Sequence, residues 1–415
     1  MRGFLGRLEV QILPGAPNLA RCTVSEPFLL YTNSMFIIAA QEQLARRGTI
    51  QTRHGLIETP AYLPCATHGA IRGVPWQLIK RIGLDALLVN AYHVGLRPGV
   101  DRIEQLGGLH KFIGWDKPIL TDSGGFQAFA LSKMSKYSEQ GIAFRSHIDG
   151  ASIQLTPEQV VQDQERLGVD LATCLDVCTG FPVSEREVSR AVDQTNRWAD
   201  RSVAAWQNKS MALYGMVQGS IYEEQRRRSA EYLRDMPFRG FAIGGNMYTF
   251  GKEMNAIERE KGIMWDVVQF TTSLLPEEKP RHLLGVGEPS DVVAGVRAGI
   301  DTFDCVMATR LARHGGAWIR TQHDSWQYQR INLAGAQYAR DWGVLDPFCG
   351  CQACSGTYSR AYLSHLLKIG DPSAGVMLTI HNLTFLTALM SAIREAIEQQ
   401  TFEQTFPLGQ TLRLL

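Results

Sequence analysis

Eight short apolar runs, each closing on a polar or glycine-rich segment, set the strongest limit on what this chain can fold into. They cover residues 62–63, 86–89, 119–120, 172–175, 213–217, 241–243, 282–284 and 302–303. The segments that close them include Asn90-Ala91-Tyr92-His93, Thr121-Asp122-Ser123-Gly124-Gly125 and Gly285-Val286-Gly287. Helical patterns separate most of the runs. Residues 157–167 form one, with Thr156 as N-cap and Pro157 at the first helical position, and residues 224–233 form another. Strands alternating with helices imply a parallel sheet. Eight of them imply a closed (β/α)8 TIM-like barrel, with its active site at the carboxyl ends of the strands. An open doubly wound sheet would also bind ligands at strand ends. The Gly124-Gly125 and Gly244-Gly245 turns, however, lack the GxGxxG spacing of a dinucleotide site.

The 415 residues accommodate one barrel of roughly 250 residues plus insertions. We expect an extension over residues 1–34, because a more regular sequence opens at Met35, where a misplaced start codon would also explain the excess. The barrel is expected over 35–343, an inserted C-terminal zinc-binding subdomain with a closing helix over 344–400, and a tail over 401–415. A short helix is expected at 360–368. In the closing helix, Leu386, Met390, Ile393 and Ile397 share one stripe. A formal net charge of +1 leaves no global basic field. Taken alone it favours a small-molecule enzyme, and a nucleic-acid partner would need a local patch. Eight scattered cysteines are too sparse for a secreted disulfide scaffold and point to a reducing compartment. No apolar run approaches the roughly 20 residues of a membrane span, and no signal peptide is evident. The expected location is cytoplasmic, away from membranes.

The cluster Cys349-x-Cys351-x-x-Cys354 can occupy three corners of a tetrahedral zinc site. His365 and His381 are the candidates for the fourth. His381, read as opening the last helix, would let the ion pin that helix to the cysteine loop. A site with four protein ligands is closed, hence structural, with one zinc per chain. At the strand ends, Asp122 is followed by two glycines that would let backbone approach a flat ligand, and Phe126 could stack on a base. Asp304, ending the eighth strand, could attack a sugar anomeric carbon, with Asp122 handling the proton. Asp176, Gln218, Gly244 and Gly245 offer donors and acceptors to a base edge, and Ser123 and Leu284 complete that set. Arg310, Arg313 and His314, with Arg360 and Lys368 further on, could meet phosphates.

These pieces, in this order, resemble the tRNA-guanine transglycosylase family. The matching segments include Asn90-Ala91-Tyr92-His93 with Arg97-Pro98-Gly99, Thr121 to Gln127, and Ser146-His147-Ile148-Asp149-Gly150. Met216-Val217-Gln218-Gly219, Leu284-Gly285-Val286-Gly287, Phe303-Asp304-Cys305-Val306 and the cysteine cluster with His381-Asn382-Leu383 follow. The resemblance implies that Asp304 is the nucleophile and Asp122 the general acid/base. It implies that Asp176, Gln218, Gly244 and Gly245 line the base pocket and that His381 is the fourth zinc ligand. It further implies exchange of the wobble guanine of tRNA with a GUN anticodon for a 7-deazaguanine base, by a homodimer as in bacterial members, the alternative being the pairing with a homologous subunit found in eukaryotic ones. Two related readings are a transglycosylase acting on DNA and a non-catalytic tRNA-binding subunit. The retained Asp122 and Asp304 argue against the second.

Three departures stand out. Ala308 replaces the family's proline before Thr309-Arg310, which would loosen that loop. Val177 follows Asp176 where bacterial members often carry a glutamate. Finally, Gly244-Gly245 is followed by Asn246-Met247-Tyr248-Thr249-Phe250-Gly251-Lys252, without an acid to meet an ammonium group. That favours queuine, whose hydroxyls Asn246, Tyr248 or Thr249 could bind, over 7-aminomethyl-7-deazaguanine.

Overall fold

A computed structural model describes residues 34–131, 135–146, 148–245, 254–356, 358–408 and 413–414. The expected extension (Ser34 apart), His147, and the stretch Asn246 to Lys252 lie outside the described residues. Each of the eight runs forms a strand: β1 (Ala61–Pro64), β2 (Leu87–Asn90), β3 (Ile119–Asp122), β4 (Leu171–Thr173), β5 (Ala212–Val217), β6 (Gly240–Ile243), β7 (Arg281–Leu283) and β8 (Thr302–Cys305). Hydrogen bonding runs β1-β8-β7-β6-β5-β4-β3-β2, all parallel. A parallel bridge from Cys65 to Leu88 closes the ring, with the Ala66 amide donating to the Leu88 carbonyl at 2.7 Å. The result is the expected (β/α)8 barrel.

Register decides which side chains face inward, because paired residues point to the same side of a sheet. Leu63 pairs with Asp304, Thr302 with His282, His282 with Ala242, Leu120 with Leu88, and Asp122 with Asn90. This set lines the interior. Its lower members are apolar: Ala61, Leu63, Leu88, Leu120, Leu171 and Ala212 form one buried cluster with Tyr214. Its upper members are polar, so the barrel is a packed apolar core below and a polar floor above.

Three antiparallel strands, Phe36–Glu42, Ala45–Thr52 and Gly55–Thr59, plug the lower mouth. Phe36, Ile50 and Ile57 join the interior cluster, each worth about 1.5–3 kcal/mol of burial. Two carboxylates tie this end together. Asp301 accepts from Arg46 through both oxygens and from the Arg281 amide at 2.7 Å. Asp170 accepts from the His54 and Ile119 amides at 3.1 and 3.0 Å. Its oxygens also lie 2.8 and 3.0 Å from His54 Nδ1 and His110 Nε2, whose rings stack at 3.6 Å.

The Pro157–Leu167 helix starts where its sequence says it should: Thr156 accepts from the Gln159 amide, Pro157 follows, and left-handed Gly168 ends it. The other expected helices are Glu223–Arg234 and Arg360–Lys368. Two features escaped the sequence reading. A small antiparallel sheet, Lys136–Ser138, Gly141–Arg145 and Ser152–Leu155, is inserted after β3. Beyond β8, Gly316–Arg320 pairs with Tyr328–Asn332.

The closing helix is longer than expected, Pro372–Glu398, and it buries Leu386, Met390, Ile393 and Ile397. His381 stands well inside it rather than at its start. By length and composition this helix could cross a membrane, so the expectation that no run approaches that length is corrected. Thr379, His381, Asn382, Thr384 and Thr387 break up its apolar pattern in the sequence. Most of its apolar stretch is buried within the fold.

Candidate active site

The carboxyl ends of the strands gather residues far apart in the chain. Asp122 ends β3, and Asn90, its register partner on β2, points the same way. Asn90 Nδ2 donates to Asp122 Oδ2 at 2.6 Å, and Gln127 Nε2 donates to the same oxygen at 3.2 Å. Asp122 Oδ1 has no hydrogen-bond partner. Burial, and then the negative charge of Asp304, push the Asp122 carboxyl up to about 7, against the pull of the Ala91 amide, Gln127 and Asn90. A carboxyl poised there can release and recover a proton near neutral pH.

Asp304, near the end of β8, is buried and held from two sides. The Gly285 amide donates to Oδ1 at 3.1 Å, and His282 Nε2 lies 3.2 Å from the same oxygen. Cys65 Sγ faces Oδ2 at 3.4 Å. Neither His282 nor Cys65 was among the residues expected from the sequence. Period-two alternation was the available signal, since it puts His282, Thr302 and Asp304 on one face of otherwise apolar strands.

A second polar group lies beside the carboxylates. Asp176 follows β4 and Gln218 follows β5, and both are buried. Gln218 Nε2 donates to Asp176 Oδ2 at 2.5 Å, the Ser123 hydroxyl reaches Oδ1 at 3.5 Å, and Cys178 Sγ reaches Oδ2 at 3.5 Å. Burial raises the Asp176 carboxyl, with Gln218 and Cys178 opposing it. Gln218 Oε1 is left without a partner. A carboxylate and a primary amide with spare bonding capacity suit the mixed donor–acceptor edge of a purine.

The two glycine pairs are explained by these side chains, a reason beyond the expected approach of a flat ligand. A Cβ on Gly244 would lie 2.6 Å from Gln218 Nε2, and one on Gly245 2.6 Å from Gln218 Oε1. A Cβ on Gly124 would meet Tyr92 Cβ at 2.7 Å, and one on Gly125 would meet Asp176 Oδ1 at 3.0 Å. Gly124 and Gly245 also have φ of +82° and +67°, where other residues are strained. Beneath them Arg226, another residue the sequence reading missed, is fully buried. It donates to the carbonyls of Ser220, Val217 and Gly245 at 2.9, 3.1 and 3.4 Å, and burial pushes it down to about 9. Leu284, just past β7, is half-buried. Phe126 is 59% exposed, its ring 6.5 Å from that of Phe129.

The Met307–Arg313 helix follows β8 directly and exposes Arg310 and Arg313. Burial, and then the charges of Arg72 and Arg310, push the Arg313 guanidinium down. The three arginines therefore form a patch of like charge, and among the described residues none is paired with a carboxylate. Lys368 is exposed at the end of its helix. Arg360 is committed internally: it pairs with Asp341 at 3.2 Å and donates to the Leu345 carbonyl at 3.0 and 3.2 Å. Ala308, where a loosened loop was expected, is buried in the first turn of the Met307–Arg313 helix, its carbonyl held by Asn382 Nδ2 at 3.0 Å.

Cys349, Cys351, Cys354 and His381 place their ligand atoms within 4.8 Å of one another. His381 Nδ1 lies 3.3 Å from Cys354 Sγ and 3.7 Å from Cys351 Sγ, while Nε2 lies 2.6 Å from the Trp318 carbonyl. Nε2 therefore carries the hydrogen and Nδ1 presents its lone pair to the thiols. His365 is exposed and takes no part. Three thiols and one imidazole nitrogen in this arrangement fit a metal ion, and are the donor set of a structural zinc site.

A family model described as "Queuine tRNA-ribosyltransferase" matches residues 41–407. Among curated proteins of that name, one from Psychrobacter cryohalolentis is 44% identical over 87% of this chain and 91% of its own length. One from Thermoanaerobacter sp. is 43% identical over 86% and 90%, and one from Dehalococcoides mccartyi is 42% identical over 88% and 89%. Matches of this extent over nearly the whole barrel and the cysteine–histidine cluster establish that the chain belongs to the queuine tRNA-ribosyltransferase family, the tRNA-guanine transglycosylases.

Proposed function

We propose that this enzyme, a pentosyltransferase by its family, replaces the wobble guanine of GUN-anticodon tRNA with a 7-deazaguanine, through a covalent link between Asp304 and the ribose. The observation that carries this reading is the unequal carboxyl pair. Asp304 is fixed by hydrogen bonds from its neighbours, whereas Asp122 leaves its Oδ1 unpaired and is raised to about 7 beside it. Attack by Asp304 on C1′ forms a C–O bond as the C1′–N9 bond breaks. Asp122 gives its proton to the departing guanine. The incoming base then surrenders a proton to Asp122 and displaces Asp304 from C1′. Asp176 and Gln218 would hold the base edge, Gly244, Gly245, Ser123 and Leu284 would frame it, and Phe126 would cover its face.

Arg310, Arg313 and Lys368 would meet tRNA phosphates, and we add Arg72 to them. Cys349, Cys351, Cys354 and His381 would hold one zinc ion, which supplies no chemistry at C1′. It would lock the cysteine loop onto the closing helix, whose Asn382 braces Ala308 and, through it, the arginine-bearing helix. We further infer queuine as the incoming base, on the acid-free stretch from Asn246 to Gly251, and a cytoplasmic homodimer as the working form. The test is exchange of labelled guanine into transcribed tRNA, followed by kcat/KM for queuine against the aminomethyl base. A tRNA that exchanges nothing would refute the activity. A preference of about ten-fold or more for the aminomethyl base would refute the choice of queuine alone.

A further inference from the structure

The two oxygens of Asp304 are not equivalent. Oδ1 accepts from the Gly285 amide at 3.1 Å and lies 3.2 Å from His282 Nε2. Oδ2 faces only the Cys65 thiol, at 3.4 Å, and a thiol is a weak donor. His282 is completely buried, and its other nitrogen, Nδ1, lies 2.9 Å from the Thr302 hydroxyl. Thr302 and His282 are register partners on adjacent strands, so sheet pairing itself sets the ring's position. An ionised carboxylate can only accept. His282 therefore presents an Nε2 hydrogen to Oδ1, while Nδ1 faces the Thr302 hydroxyl.

We propose that His282 is a positioning residue that pins Oδ1 and thereby makes Oδ2 the oxygen that attacks C1′. The inference rests on the reading of Asp304 as nucleophile. An oxygen that attacks must first shed its hydrogen bonds, and bonds to a charged acceptor are the strong ones. Oδ1 would have to give up two of them, whereas Oδ2 gives up one contact to sulfur. Two donors converging on Oδ1 also fix the carboxylate plane, which keeps the Oδ2 lone pair aimed while the sugar settles. When the Oδ2–C1′ bond forms, the electron pair of the C1′–N9 bond leaves with the base, which Asp122 protonates. Oδ1 becomes the carbonyl oxygen of the ester and keeps both donors. In the second half, as the Oδ2–C1′ bond breaks, the same donors stabilise the returning negative charge.

The experiment is the single-turnover rate of covalent enzyme–RNA adduct formation, with full-length protein and transcribed GUN-anticodon tRNA. It compares the unmodified chain with Asp304→Asn, His282→Leu, His282→Gln and Cys65→Val. Loss of one hydrogen bond to a charged group should slow His282→Leu by about ten- to a hundred-fold. Its tRNA affinity should stay within about three-fold, since positioning acts on the step and not on ground-state binding. Gln can place an amide N–H where Nε2 was, so His282→Gln should recover most of the rate. Cys65→Val removes the one contact that Oδ2 must shed, so it should be faster than the unmodified chain. A faster His282→Leu together with a slower Cys65→Val would mean that Oδ1 attacks, and would overturn the assignment. So would two His282 variants equally slow or equally unaffected. Should His282→Leu not fold, His282→Gln and Cys65→Val still decide, because a slow Cys65→Val contradicts the assignment by itself. Adduct from Asp304→Asn would instead overturn the underlying choice of nucleophile.

Discussion

The two ends of the barrel use carboxylates in opposite ways. At the lower end Asp301 and Asp170 are saturated: Arg46 and a backbone amide hold the first, and two amides and two histidines surround the second. At the upper end Asp122 keeps an oxygen without a partner, Asp304 turns one oxygen toward a thiol, and Gln218 keeps an unpaired carbonyl. Buried polar groups are normally satisfied, because an unmet one costs about 1–3 kcal/mol. Of these carboxylates, the lower pair is spent on holding the fold, and the upper pair leaves bonding capacity open. Conserving stability below and reactivity above is the general division of labour in this architecture.

The sharpest break of that contrast is one substitution at each end. Asp304→Asn should reduce adduct formation by about 10⁴-fold or more, as removal of a nucleophile does, while the thermal midpoint stays close to that of the unmodified chain. Asp301→Ala should do the reverse. It leaves the buried Arg46 guanidinium with carbonyls alone and should cost about 3–5 kcal/mol in denaturant unfolding, with kcat per folded molecule little changed. If Asp304→Asn destabilises as much as Asp301→Ala, the two ends are not divided as described.

How much of this could be read in the sequence follows the same divide. The strands were readable because each run is apolar and stops at a polar segment, and Asp122, Asp304, Asp176 and Gln218 mark those stops. The lower end was not readable. Asp170 and Asp301 precede their strands, and their partners, His54 and Arg46, come from a plug whose strands alternate only weakly. His282 was hidden inside a run read as apolar, and Arg226 inside a helix with three other arginines, none of them buried. In both cases burial is decided by tertiary packing, which leaves no local mark.

The pH dependence of stability sharpens the contrast with a smaller effect. Burial and Asp304 raise the Asp122 carboxyl to about 7. The native state then holds a proton that the unfolded chain releases, so this contribution is full below the ordinary carboxylate range and is lost as pH rises through about 7. Asp170 behaves oppositely. Burial alone would raise it, but His110, the Ile119 amide and His54 more than offset that and leave it lowered. Its contribution is present above the ordinary carboxylate range and is lost as pH falls through its depressed value. Asp122→Asn should thus gain on the unmodified chain between pH 5 and 8, by about 1–2 kcal/mol after allowing for its partial exposure. Asp170→Asn should lose most at neutral pH and least in acid. Urea midpoints from about pH 2 to pH 8 would show it, since the Asp170 window lies below the ordinary carboxylate range, and parallel curves for the two variants would remove the distinction.

The smallest effect separates two kinds of arginine on the upper side. Arg310 and Arg313 project from the helix after β8, with Arg72 near enough to depress Arg313 and no carboxylate paired with any of them among the described residues. Keeping like charges together unpaired opposes folding, so the patch makes sense if a polyanion neutralises it. Arg360 is the internal control, since its guanidinium already serves Asp341 and the Leu345 carbonyl. The measurable quantity is the slope of log Kd for tRNA against log salt, because each phosphate contact releases counterions. Arg310→Ala and Arg313→Ala should each lower that slope by about one unit and weaken binding by about ten-fold at moderate salt. Arg360→Ala should leave the slope unchanged and lower only the thermal midpoint, its guanidinium being already paired within the protein. A slope that responds to Arg360→Ala and not to Arg310→Ala would move the tRNA path off the rim of the barrel and onto the cysteine loop.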